Sequence, residues 1–419
     1  MIQSASGQDE VFGKRGVTQP QEHAVGHRSA DRYMSKRREV ALLIETSNAY
    51  ARGILQGVVR YIRENSRWSF YIPEQGRGDI PPGWLANWQG DGIIARIENQ
   101  EIARSVAASG LPAVDVSAAR LLPSLPWVET DDQAIAQLAA EHLLDRGFKH
   151  FGFCGDSRFN WSNWRSDHFE QAVQKAGRGC HLYRSSISPT APLENQVAEI
   201  AQWLINLPKP VAIMACYDIR GQQVLDACRN AGLAVPDEVA VIGVDNDALL
   251  CDLSSPPLSS VVPNAQRTGY EAAALLDQMM SGVKVPSEAH LITPLGVATR
   301  QSTDVLAIDD RHIARATRFI REHAHEQINI EDVLKVVPLS RRIFESRFKK
   351  ILGHTPHEEI IRVRMNRVKE LLTETELNLA VIAERTGFEH VEYLSTAFKK
   401  KVGLSPNQYR AQNRKLLHH

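Results

Sequence analysis

Polar side chains stand at the exits of several short apolar runs. CYDIRG closes one run at Asp218, and VIGVDND closes another at Asp245 and Asn246. The stretch HFGFCGDSRFNWSNWRSDHFEQAV sets Trp161, Trp164 and Arg165 just after a third, and the first run of the chain exits into Glu45, Thr46, Ser47 and Asn48. A carboxylate accepts from two adjacent hydroxyls, a guanidinium donates to oxygen, and an indole face covers the C–H side of a ring. In combination these types suit recognition of a polyhydroxylated ring such as a monosaccharide. Taken singly, each also has a plainer reading, because a strand-end Asp caps helices and a Trp at a domain edge packs in cores.

A second set lies near the carboxyl end, in an internal repeat. FKKILGHTP at 348–356 returns as FKKKVGLSP at 398–406, an offset that aligns Phe348 with Phe398, Gly353 with Gly403 and Pro356 with Pro406. A repeat of that period built only from helical pattern means two copies of one helical unit. Each copy reads as a helix, a tight turn and a second helix: IEDVLKVV, Pro338–Leu339 and RRIFESRFKKILG, then LAVIAERTG, Gly387 and VEYLSTAFKKKVG. Ser340 is expected to cap the first of these second helices. Such a second helix fits a major groove about 12 Å wide. Thr355-Pro356-His357-Glu358 and Ser405-Pro406-Asn407-Gln408 both spell a capping box with Pro at the first helical position. The first opens PHEEIIRVRMNRVKELLTE, a continuous helix that could join the two units rigidly. Phe344, Phe348, Leu394 and Phe398 recur at helical spacing and read as core.

These residues require particular elements to hold them. From Glu39 to about Arg300 the runs EVALLIE, WSFYIP, DGIIARI, PAVDV, HFGFCGD, VAIMACYD, VAVIGVDN and SSVVP alternate with amphipathic segments such as DDQAIAQLAAEHLLDRG and RGQQVLDACRNAGL. Continuous apolar strands alternating with helices imply parallel sheet covered on both faces, and about 260 residues fit two such lobes. Ligands bind at the carboxyl ends of strands in such sheets, where the polar residues above are found. After residue 308 there is helix pattern and no strand signal. The expected organisation is an N-terminal extension at 1–36, an effector domain at 37–300, a linker at 301–308, a helical domain at 309–412 and a tail at 413–419. Residues 1–33 have no apolar periodicity and read as disordered. Alternatively, translation starts at Met34.

The net charge of zero conceals a division. Residues 309–419 hold 21 Lys+Arg against 15 Asp+Glu, leaving 28 against 34 for the remainder. A basic unit tethered to an acidic body is compatible with a nucleic-acid partner. Five cysteines are scattered without a CxxC pair, which points to reduced thiols, a cytoplasmic location and no zinc. No metal and no cofactor is expected. No apolar run reaches the roughly 18 residues of a membrane span, so no membrane partner is expected either. GxGxxG after the first strand, GxxxxGK[ST], HExxH and GxSxG are all absent.

On RFKKILGHTP, IAERTGF and FKKKVGLSPNQYR, residues 309–412 resemble the C-terminal DNA-binding domain of AraC-family transcription regulators. The resemblance places base-reading positions at Arg341, Arg342, Glu345 and Ser346 on the first reader helix, where Ser340 is a further DNA-binding position, and at His390, Glu392, Ser395 and Thr396 on the second. Arg grips guanine O6/N7 and Glu accepts from cytosine N4, while Lys349 and Lys399 suit phosphates. On VIGVDND, the ACYDIRGQQVLDACRNAGLAVPDEVAVIGVDN segment and FGFCGD with WRSDHF, residues 39–300 resemble the effector domain of lac-repressor-type regulators, related to type 1 periplasmic sugar-binding proteins. That resemblance implies ligand roles for Arg165, Asp218 and Asp245. The pairing of both halves resembles the family of xylose operon regulators, supported by SNAYARGILQGVVRYIRENSRWSFYI and ATRQSTD. It implies a cytoplasmic homodimer that binds operator DNA and D-xylose and, as an activator of pentose catabolic genes, engages RNA polymerase. Two alternatives stay open: a regulator sensing another monosaccharide or a protein partner, and a carbohydrate-active enzyme built on paired carboxylates.

Overall fold

The computed structural model describes residues 37–417 except 66–67, 75, 77–78, 189–190, 305–307, 309 and 376. The N-terminal extension expected at 1–36 lies outside the described residues. Twelve strands fall in chain order as β1 (Arg38–Leu43), β2 (Trp68–Tyr71), β3 (Gly92–Ala95), β4 (Ala113–Asp115), β5 (Trp127–Thr130), β6 (His150–Cys154), β7 (Cys180–Leu182), β8 (Val211–Ala215), β9 (Val239–Val244), β10 (Ser259–Val262), β11 (Ala289–Ile292) and β12 (Gly296–Ala298). They form two sheets, ordered β11-β5-β4-β3-β1-β2 and β12-β10-β9-β8-β6-β7. All neighbours are parallel except β10 and β12. The two orders are the same doubly wound pattern, reversing direction beside β1 in one lobe and beside β6 in the other.

The central strands among those that the apolar runs mark out are buried on both faces, with every residue of β3, β4, β8 and β9 buried, whereas edge strand β2 is not. Helices Ala49–Asn65 and Ala265–Met280 cover one face of the first sheet, and Gln100–Ser109 covers the other. In the second lobe, Asp132–Leu144 and Asn160–Lys175 cover one face, and Leu193–Ile205 with Asp218–Asn230 the other. Ala49–Asn65 and Ala265–Met280 approach closely because of paired glycines. A Cβ on Gly57 would sit 2.0 Å from the Gln266 carbonyl oxygen, and one on Gly269 would sit 1.9 Å from that of Ile54.

Four strands were not expected. β5, β7, β11 and β12 are three or four residues long and lack a continuous apolar run, so their pairing follows from tertiary neighbours rather than local pattern. The chain returns from the second lobe through Ala265–Met280 to add β11 to the first sheet, then crosses again to add β12 to the second.

Helices Arg311–His323, Ile330–Lys335, Arg341–Leu352, Pro356–Glu374, Leu379–Arg385, Val391–Val402 and Pro406–Leu417 make up the carboxyl-terminal unit. They enclose two cores, one around Phe344 and Phe348 and one around Leu394 and Phe398, all four side chains fully buried. Truncating any of the three Phe to Ala in such a setting costs about 3–5 kcal/mol, and Leu394 about 2–5 kcal/mol. Pro356–Glu374 belongs to both cores, with Ile360 in the first and Val368, Leu371 and Leu372 in the second. It is a rigid spacer because each end is fixed by a different core. Both capping boxes form: Glu358 N donates to Thr355 Oγ1 at 3.2 Å, and Gln408 N to Ser405 Oγ at 3.3 Å.

The expected linker at 301–308 is absorbed at both ends. Gln301–Thr303 is a turn of 3-10 helix whose Ser302 is fully buried in the second lobe, accepting from Ser259 N and donating to the Val241 carbonyl. Ile308 packs into the first helical core. The closing helix likewise continues past residue 412 to Leu417, into the stretch expected as a tail.

Candidate functional site

The carboxyl ends of both sheets face one cavity, lined by Tyr50, Arg96, Ser117, Glu129 and Thr130 from the first lobe and Asp132, Trp161, Arg165 and Asp245 from the second. Strand direction explains the assembly: β3, β5, β6 and β9 all end there, so each delivers its next polar residues into the gap. Arg165, on the first turns of Asn160–Lys175, is 7% exposed. Its Nε donates to Asp132 Oδ1 at 2.7 Å and its Nη1 to the Cys216 carbonyl at 2.7 Å, while Trp161 lies beneath the guanidinium at 5.0 Å. Burial works against the Arg165 charge, but Asp132 and Asp245 hold it on. Across the cleft, Arg96 is ion-paired with Glu45 and Glu98 and stacks over Tyr50 at 5.6 Å. Tyr50 Oη and Thr130 Oγ1 are 2.9 Å apart.

Asp245 occupies a strained backbone position, φ 107°, followed by Asn246 at φ 48°. Non-glycine residues in this region cost of order 1–3 kcal/mol and persist where surrounding structure imposes them. Here the β9–β10 pairing does so, with Asp245 N donating to the Val261 carbonyl and Asn246 N to Ser260 Oγ. Burial, and then Asp245, push the Asp218 carboxyl well above the usual carboxylate range.

The expected ligand residues divide. Trp161, Arg165 and Asp245 line the cavity. Glu45 lies behind it as the partner of Arg96. Asp218 sits beneath the wall, accepting from Ser260 Oγ at 2.6 Å and Asp247 N at 2.8 Å. Asn246 accepts from Arg300 at 2.9 Å. Asn48 caps the Ala49–Asn65 helix through Ala51 N, and Ser47 is exposed. Trp164 faces Arg120, whose guanidinium lies 4.3 Å from the ring centroid. Sequence reading missed Tyr50, Arg96, Glu129, Thr130 and Asp132. Arg96 was within reach, since it directly follows β3 in the run DGIIARI as Asp245 directly follows β9 in VIGVDND. Asp132 was not, because β5 carries no apolar run to mark the strand before it.

The second candidate surface is exposed. Arg341, Arg342, Glu345, Ser346 and Lys349 share one face of Arg341–Leu352 with Thr355. Arg341 donates to Glu345 at 2.9 Å and to Glu331 at 2.6 Å. Ser340 holds the N-cap position but makes no capping hydrogen bond, because its side chain is left outward. On Val391–Val402, Glu392, Thr396 and Lys399 are exposed and Ser395 half-buried, with His390 exposed at the N-cap. The turn before this helix requires Gly387, at φ 76°, where a Cβ would meet the Ala324 carbonyl oxygen at 2.3 Å.

The two units touch through partly buried polar contacts. Arg321 donates to Asp237 at 2.9 Å, and Arg362 lies 3.5 Å from Asp304. Within the second lobe, beside Asp304, Arg146 Nε donates to the Thr303 carbonyl at 2.6 Å, and His142 Nε2 is 2.8 Å from Thr303 Oγ1. Burial drops the His142 imidazole to about 4, assisted by Arg146. Among the described residues no group of His, Cys, Asp and Glu is arranged to hold a metal ion, and no helix is long and apolar enough to cross a membrane.

Comparison with known proteins agrees with this layout. Residues 39–133 match a XylR N-terminal domain, 140–303 a periplasmic binding protein-like domain and 333–412 a helix-turn-helix domain. The xylose operon regulatory protein of Escherichia coli K12 is 32% identical over 91% of this chain and 99% of its own. That of Haemophilus influenzae is 30% identical over 89% and 98%. A solved structure described as the xylose-binding transcription activator xylR superposes with a TM-score of 0.77 at 30% identity, over 90% of this chain and 99% of that one. Relatives that span both units at this identity are transcription regulators and not enzymes. The chain therefore belongs to the xylose operon regulatory protein family, pairing a two-lobed sugar-sensing domain with a DNA-binding double helix-turn-helix.

Proposed function

We propose that this chain is a cytoplasmic, homodimeric activator of pentose catabolic genes that takes D-xylose in the interlobe cleft and then engages operator DNA and RNA polymerase. The observation that carries the reading is the cleft itself. Buried Arg165 and Arg96 and half-buried Asp245 converge on one cavity, with Tyr50 and Trp161 as ring faces, and a rigid pair of reader helices follows in the same chain. In this reading Asp245 and Arg165 bind sugar hydroxyls, Trp161 stacks on the ring, and Asp218, Asn246 and Glu45 hold the binding groups in place. Exposed Leu249 and Leu253, one turn apart on Ala248–Leu253, support a self-association surface.

Signal transfer uses Asp132–Leu144. Its first residue is the Arg165 partner in the cleft, while His142 near its end and Arg146 just beyond it grip Thr303 at the junction. Lobe closure that moves Asp132 thus moves Thr303 and Asp304, the Arg362 contact. Coupling of this kind is typically about 1–3 kcal/mol. The test is a titration of operator DNA with and without D-xylose, repeated with a panel of pentoses and hexoses. D-xylose should tighten DNA binding by about 5- to 150-fold. Asp245→Ala should lose that response while still binding operator. A response to a different sugar alone would overturn the xylose assignment.

A further inference from the structure

A cavity of about 650 Å³ lies between the sensor and the helical unit, walled by residues 299–304 on one side and by Arg321, His325 and the Pro356–Glu374 and Leu379–Arg385 helices on the other. Its lining holds seven Arg or Lys side chains against two carboxylates, Asp304 and Glu370. Some of that charge is matched: Arg300 by Asp252, Arg321 by Asp237, Arg362 by Glu359 and Asp304, Arg367 by Glu370. Three cations have no carboxylate partner among the described residues. Arg364 donates only to the carbonyls of Ala324 at 2.7 Å and Ile328 at 3.2 Å, and Lys369 and Arg385 make no ion pair there. Arg321 in addition keeps Nη2 buried with no acceptor.

A surplus of cations in a partly enclosed space repels itself, and the repulsion is stronger there than on open surface because water screens it less. Ligand sites favour domain interfaces. We infer that this interdomain cavity binds a small phosphate-bearing metabolite, whose anionic oxygens take up the unmatched Arg364, Lys369 and Arg385 and the free Arg321 donor. Arg and phosphate pair in bidentate fashion, which the planar guanidinium suits better than the point charge of a lysine ammonium does. The cavity is separate from the interlobe cleft, so the inference stands or falls independently of the xylose assignment. It also contains Arg321 and Arg362, which form the two ion pairs between the units, so its occupant would compete with Asp237 and Asp304 for the same donors.

The full-length chain is titrated calorimetrically with D-glucose 6-phosphate, inorganic pyrophosphate and neutral D-glucose at about 0.15 M ionic strength. The expected result is saturable one-to-one binding of a phosphorylated probe with Kd below about 1 mM, and none of D-glucose at this cavity. The Lys369→Glu/Arg385→Glu double variant, at side chains without partners, should keep the thermal midpoint and weaken binding about ten-fold or more through charge reversal. Lys349→Glu, on the reader surface, should leave probe affinity unchanged. Absence of saturable binding by either phosphorylated probe, equal affinity in the double variant, an equal loss in Lys349→Glu, or competitive displacement of the probe by duplex DNA would each overturn the inference; the last would give the cavity to the DNA backbone.

Discussion

The interlobe cleft and the reader helices handle polar side chains in opposite ways. In the cleft, Arg165 is nearly inaccessible and committed to Asp132 and a carbonyl, and Asp245 is held at a strained φ. On the reader surface Arg342 and Lys349 are exposed, and Ser340 forgoes its own helix cap. A buried site must arrange its charges before the ligand arrives, because an unmatched charge in low dielectric is costly. A groove-reading surface keeps its donors hydrated until DNA displaces the water. The same residue type, arginine, is thus committed to internal partners at Arg165 in one region and left exposed at Arg342 in the other.

The largest expected break in this contrast is Arg165→Ala. It leaves the Asp132 carboxylate buried without its partner, which costs about 3–5 kcal/mol. Chemical denaturation should show that loss together with loss of the sugar response. Full stability with only a binding defect would place Arg165 outside the folding framework. Next is Arg342→Ala, expected to cost about 1–3 kcal/mol of discrimination at one operator base pair. Its effect on unfolding should stay within about 0.5 kcal/mol, as for exposed positions. Footprinting against single-base operator variants, alongside a melting curve, separates the two quantities. An intermediate case is His142, polar and half-buried at the junction. Its imidazole titrates near 4 in the folded chain, below its ordinary value of 6.5, so the unfolded chain takes the proton first. Stability should therefore be complete above about pH 6.5 and fall as pH drops toward 4. His142→Gln should flatten that slope; an unchanged slope would assign the acid loss to other groups. The smallest effect belongs to Lys349→Ala, expected to reduce the salt slope of DNA binding by about 0.9 with no change in sequence preference.

Legibility in the sequence follows the same division. The helical unit repeats its own pattern, so Phe344, Phe348, Leu394 and Phe398 identified both cores and the capping boxes identified the spacer. Strand-end reading named Trp161, Arg165 and Asp245, which line the cavity, because β6 and β9 are continuous apolar runs. It also named Ser47, Asn48 and Trp164, which do not line the cavity, since proximity to a strand end does not say which way a side chain turns. Asp218 is a related case: it ends an apolar run as Asp245 does, yet the adjacent β10 places Ser260 against it and draws it under the wall. Tyr50 and Thr130 come from a helix and a weak strand far apart in the chain, and only the fold brings their oxygens within 2.9 Å.

Local periodicity and turn chemistry alone determined the α/β class of residues 37–300, the doubled helical unit and its rigid spacer, since hydrophobic patterning and capping act within a few residues. Tertiary structure decided which polar groups share the cleft, that residues 301–303 are packed against β9 and β10 instead of linking two units, and how Arg321 and Arg362 meet the sensor. Those outcomes depend on strand order and on pairings across hundreds of residues, where no short-range signal reaches.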